Sequence, residues 1–80
     1  MTKYEVILIG SYNNWRLLLT DSLEEAQIFF NTYSKKELEL LRGFTRLNND
    51  IYIQLNYLTY EKDIQDEKLI HIKEVDFKYL

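Results

Sequence analysis

The residue types that most often do chemistry are scarce in this chain. It has one histidine, no cysteine and two glycines in 80 residues. Thiolate nucleophiles, imidazole bases, metal cages and glycine loops around phosphate all draw on those types. His71, between Ile70 and Ile72, lacks both partner ligands for a metal and a cysteine to activate. It reads as a structural or surface residue. Ser11, Ser22 and Ser34 occupy turn or cap positions, outside any Gly-x-Ser-x-Gly setting. Glu61, Asp63, Asp66 and Glu67 gather four carboxylates, the chemistry of cation binding or phosphate mimicry. The alternating oxygen ligands and central glycine of a calcium loop are missing, and Lys62 and Lys68 dilute the field. A solvated loop is the reading. Lys35, Lys36, Arg42 and Arg46 are locally basic, but Glu37 and Glu39 interleave with them as on an ion-paired exposed helix face. Carboxylate pairs for acid–base work need a deep cleft to shift their pKa values, and an 80-residue two-layer domain seldom builds one. The expectation is a protein without catalysis, metal or cofactor.

Aromatic residues stand in place of the missing types: seven tyrosines, four phenylalanines and one tryptophan. Two placements point to binding. The segment Ser11-Tyr12-Asn13-Asn14-Trp15 has a recognition-loop composition, because aromatics give large contact area at low entropy cost. The competing reading folds Trp15 back into a thin core. The stripe Tyr52, Gln54, Asn56, Leu58 and Tyr60 alternates along one strand as an uncharged, tyrosine-rich face. Charge depletion with tyrosine enrichment is the signal of interface cores, so this stripe ranks first; its competitor is a face covered by the chain's own termini.

The elements that must position these residues follow from periodicity. Tyr4 to Ile9 is β-branched and aliphatic, and its continuous apolar run Val6 to Ile9 suggests a central strand. Trp15 to Thr20 completes a hairpin. Ser22 with Glu25 fits a capping box, and Leu23, Ala26, Phe30 and Tyr33 follow a helical spacing that turns them to the sheet. Ser34 with Glu37 opens a second segment that Gly43 closes, so helices are expected at 22–32 and 35–42, broken or continuous. Phe44 to Leu47 and Ile51 to Tyr60 flank the turn Asn48-Asn49-Asp50. Ile51, Ile53, Leu55 and Tyr57 should pack on the helices, leaving the stripe on the wetter side. Glu61 to Lys68 reads as a charged connection. In Leu69 to Tyr79, Ile70 and Ile72 share one parity and Val75, Phe77 and Tyr79 the other; a bulge near Lys73-Glu74 would bring all five to one face.

The order ββ-α(α)-βββ makes this an α+β chain: a single antiparallel sheet with one or two helices on one face, spanning 1–80 as one domain. Its 46% hydrophobic content is that of a folded protein. A core this small supports a stability of about 5 kcal/mol, and a homodimer would enlarge it. The net charge of −3 argues against nucleic acid. No apolar run approaches the roughly 20 residues of a membrane span, and Val6 to Ile9 is too short for a signal core, so the expected location is cytoplasmic. The abundance of Asn, Lys, Ile and Tyr over Ala, Gly, Pro and Arg fits an AT-rich genome. In size and composition the chain resembles the small inhibitory proteins that phages and mobile elements direct at host machinery, anti-CRISPR and other anti-defence proteins among them. The resemblance implies a protein partner in the host; the aromatic placements above put the contact on Tyr52, Gln54, Asn56, Leu58, Tyr60, Tyr12 and Trp15. The alternatives are a nucleotide-sequestering homodimer, with Lys35, Lys36 or Arg46 on phosphate, and a toxin-neutralising immunity-type module.

Overall fold

The computed structural model describes residues 2–10, 14–34, 51–62 and 64–80. They form β1 (Thr2–Ile9), β2 (Asn14–Thr20), α1 (Leu23–Thr32), β3 (Tyr52–Lys62) and β4 (Glu67–Tyr79). The strands make one antiparallel sheet in the order β2-β1-β3-β4, and α1 packs on one side of it. The architecture is α+β, with the described order ββ-α-ββ. The expected helix 35–42, its Gly43 cap, the strand 44–47 and the turn 48–50 lie outside the described residues, as does Tyr12.

β1 pairs with β2 on one side and β3 on the other, the central place its apolar run suggested, though only the face toward α1 is fully covered and Ile7 and Ile9 on the other face are half-buried. Val6 and Leu8 point toward α1 and are fully buried with Ile53 and Leu55 of β3. Ser22 starts the helix as expected: its backbone is extended, and its Oγ accepts a hydrogen bond from the Glu25 N–H at 3.1 Å. Thr20 Oγ1 accepts from the Ser22 N–H at 3.1 Å, tying the end of β2 to the helix start. Glu24 and Glu25 in the first turn suit the helix dipole. Ala26 and Phe30 are buried against the sheet, and Tyr33 just beyond the helix joins them. Leu23 departs from expectation. It is the first helical residue, near the edge of the contact, and remains 46% exposed.

Ten helical residues span about 15 Å, whereas eleven strand residues span about 37 Å. α1 therefore covers only part of the sheet. It lies over β1, β2 and β3, and it reaches β4 through Lys78. The Lys78 ammonium sits 5.4 Å from the centre of the Phe30 ring and donates to the Asn31 carbonyl at 3.2 Å.

β3 and β4 extend further than the sequence suggested. Glu61 and Lys62 remain in β3, and Glu67 and Lys68 are already in β4, paired Glu61 with Lys68 and Lys62 with Glu67. Half of the expected charged connection 61–68 is thus strand, residues 61–62 ending β3 and 67–68 opening β4. Alternating charges across the pair let this polar end continue the ladder. The phase slip in β4 is a real irregularity. The register skips Val75 between Asp76 and Glu74, and skips Ile70 between His71 and Leu69. The first bulge lies one residue beyond the expected position. It restores Ile72, Phe77 and Tyr79 to one face, while Ile70 and Val75 occupy the bulges themselves.

Candidate functional site

Cross-strand partners share a face, so the register sorts the paired strand residues to one side of the sheet or the other, leaving out Leu17, Ile70 and Val75 at its irregularities. On the side of α1, the rows run Trp15–Leu8–Ile53–Lys78, Leu18–Val6–Leu55–Asp76 and Thr20–Tyr4–Tyr57–Lys73. On the opposite side they run Asn14–Ile9–Tyr52–Tyr79 and Arg16–Ile7–Gln54–Phe77, then Leu19–Glu5–Asn56–Glu74. Lys3–Leu58–Ile72 and Tyr60–Leu69 complete that side.

The predicted stripe from Tyr52 to Tyr60 occupies the side away from the helix, as its parity required. Its members differ in access. Tyr52, Gln54 and Tyr60 are half-buried, whereas Leu58 is fully buried and Asn56 nearly so. Asn56 is closed off by a polar network. Its Nδ2 donates to Glu5 Oε1 at 2.9 Å, and Arg16 Nε donates to Glu5 Oε2 at 2.8 Å. Glu5 is only 4% exposed, so its charge is held by two directed donors rather than by water. Next to it, Gln54 Nε2 donates to the Glu74 carboxylate. Trp15 sits on β2 opposite Leu8, on the helix side, and is half exposed.

β4 extends the stripe. All thirteen residues of this edge strand are exposed except Lys78, which is half-buried. Its side toward the helix carries Lys73, Asp76 and Lys78; its opposite side carries Leu69, Ile72, Phe77 and Tyr79. Tyr79 is 66% exposed, Ile72 53% and Phe77 47%. Tyr52, Phe77 and Tyr79 form a mutual aromatic cluster with ring centres 5.6–5.9 Å apart, edge-on or tilted. Sequence reasoning left these β4 residues out of the site. The signal was present in the alternation His71-Ile72-Lys73 and Asp76-Phe77-Lys78-Tyr79, but the register was needed to put that apolar side beside the stripe.

The helix side holds a shallower feature. A groove of about 490 Å³ lies over the Tyr4–Tyr57 ring pair, whose centres are 5.4 Å apart, with Leu23, Val75 and Lys73 at its margins. Among the described residues, no group of three or more His, Asp or Glu is placed to hold a metal ion. None of their helices is long and apolar enough to cross a membrane. Comparison of the chain with protein families, curated proteins and solved structures finds no match.

Proposed function

We propose that the protein is a non-enzymatic binding protein that blocks a host protein by direct contact. Such action is that of the small phage and mobile-element inhibitors it resembles in size and composition. One observation carries this reading: an aromatic and aliphatic surface, half-buried on β3 and exposed on β4, runs across the two strands on the side opposite α1. Tyrosine and phenylalanine clusters with little charge are what interface cores are made of. Tyr52, Phe77 and Tyr79 are the expected anchors, with Tyr60 and Ile72 beside them; rigid rings supply contact at low entropic cost. The host cytoplasm is the proposed site of action.

A photo-crosslinking residue at position 79 tests this in lysate of the native host. It should trap one host protein, and the same residue at position 73, on the other side of β4, should not. Equal trapping at both positions, or an unchanged partner affinity in the folded Tyr52→Ala, Tyr60→Ala double variant, sinks the sheet-face reading.

The helix-side groove supports a second reading, a small-molecule binder. Its volume suits a drug-sized ligand and its floor offers two rings for stacking. It ranks second because, among the described residues, Lys73 is the one cation lining it, and Glu74 lines it too. Native mass spectrometry of gently purified protein decides: a co-purifying ligand that Tyr57→Ala releases favours the groove.

A further inference from the structure

The reading above makes the open sheet face a protein interface; resting on it, we infer that the occupant of that face in the isolated protein is a second copy of the chain. β4 is inverted relative to the middle strands: its paired apolar residues face away from α1, and its side toward the helix is charged. A period-two pattern of this kind marks a strand whose apolar side is to be buried. α1, the helix among the described residues, lies on the wrong side to do it.

Leu69, Ile72, Phe77 and Tyr79 together leave roughly 430 Å² accessible, within the 300–600 Å² of the largest patch on a monomer, which is often functional. Adding Leu19 and the half-buried Tyr52, Tyr60, Ile7 and Ile9 brings the face to roughly 650 Å², approaching the 800 Å² that each partner gives a standard interface.

Covering a polar group stabilises nothing unless that group is already bonded. On this face Glu5 is held by Arg16 and Asn56, and Glu74 by Gln54. The flexible stem of Lys3 lets its ammonium reach the rim. β4 itself balances Lys68, Lys73 and Lys78 against Glu67, Glu74 and Asp76. Two copies of a chain with net charge −3 can therefore meet here without strong repulsion.

The edge of β4 is less suited to pairing. Two bulges interrupt its ladder, and a lysine recurs at every fifth residue, both of which discourage strand addition. The copies should stack face to face, about 10 Å apart, rather than extend the sheet.

Sedimentation equilibrium of the full chain, up to about 200 µM, tests the proposal above the micromolar range that interfaces of this size reach. The expected mass is twice the 9.8 kDa of the chain. Phe77→Asp with Tyr79→Asp should weaken the dimer at least about tenfold, as truncated anchors do, while His71→Asp on the helix side should not. Wild-type protein supplies a check that needs no substitution. In a mixture of isotope-labelled and unlabelled chains, the Phe77 ring should show intermolecular NOEs. A monomer throughout, or a dimer whose NOEs come from α1 or β2 alone, overturns the second-copy inference. The face reading has its own readout: if Phe77→Asp with Tyr79→Asp abolishes host capture by a protein that is always monomeric, the face survives and only the second copy is lost.

Discussion

On β1 and β3, Val6, Leu8, Ile53 and Leu55 are turned toward α1, and none has measurable exposure. In the same rows of β4 stand Lys78 and Asp76, and Lys73 follows in the row of the half-buried Tyr4 and Tyr57. On the opposite side of the sheet the middle strands carry the bonded Glu5 and Asn56 beside the half-buried Ile7, Ile9 and Tyr52 and the buried Leu58, while β4 carries Ile72, Phe77 and Tyr79 in the open. The difference teaches that the side facing α1 is apolar only on the strands the helix covers. A 10-residue helix supplies that cover for three strands and stops short of the fourth. Full burial of an aliphatic side chain is worth about 1.5–3 kcal/mol, so the two regions should respond very differently to truncation.

The sharpest way to break this contrast is a pair of substitutions. Leu55→Ala should cost about 2–5 kcal/mol, because it removes a side chain from the fully buried cluster. That approaches the whole stability of a small domain, so the variant should be largely unfolded at 37 °C. Phe77→Ala should cost the isolated fold far less, about 1 kcal/mol or below, since half of the residue is exposed. Urea unfolding at low protein concentration, where association is absent, measures both. Comparable losses would mean that the open side is as much core as the helix side.

The next effect concerns the polar network. Arg16→Met leaves the buried Glu5 carboxylate with Asn56 as its remaining donor. A loss of about 1–3 kcal/mol is expected, the cost of an under-satisfied buried acceptor, tempered here because Arg16 is itself nearly half exposed. The Glu5→Gln, Arg16→Met double variant should recover part of that loss, since it removes the charge along with its partner. If the double variant is no better than the single one, the network matters for shape rather than charge.

What the residues disclosed depended on the range of the interaction. The start of α1 is written locally, in Ser22 and Glu25 three apart, and the cap forms. The inner face of β3 is written in simple alternation: Ile53 and Leu55 are buried, as is Ile51 just before the strand, while Tyr57 at the margin of the helix is half-buried. The central place of β1 follows from its unbroken apolar run. By contrast, Glu61 and Lys68 looked like loop because their charges hide a cross-strand pairing. The Glu5–Arg16–Asn56 network joins three strands, and no local pattern in the chain announces it. The membership of Phe77 and Tyr79 in the open face depended on where the bulge fell, because a one-residue change in register turns a strand over.

A smaller effect is expected at the helix start. Ser22→Ala removes the hydroxyl that accepts from the Glu25 N–H, at a cost of about 1 kcal/mol. Ser22→Asp should restore most of it, because a carboxylate serves as the same acceptor and suits the helix dipole. Far-ultraviolet circular dichroism during urea unfolding checks both. The helix covers only its own side of the sheet, so contacts made through Phe77 should be unchanged in either variant that remains folded.

The smallest effect lies where the two regions touch. Lys78 belongs to β4, yet its ammonium reaches back over the Phe30 ring and donates to the Asn31 carbonyl at the end of α1. It is the one residue of β4 that is half-buried rather than exposed. Lys78→Met keeps the stem length and removes the charge, and should cost about 0.5–1 kcal/mol, the worth of an accessible cation–π contact. The consequence for β4 is more telling than the size of the loss. If this one tether aligns β4 against the helix end, amide hydrogen exchange at Phe77 and Tyr79 should quicken in the variant, while exchange at Ile53 and Leu55 stays at the wild-type rate. Equal acceleration in β3 and β4 would show the opposite: that the edge strand has no separate stability, and that the ladder to β3 alone fixes its place.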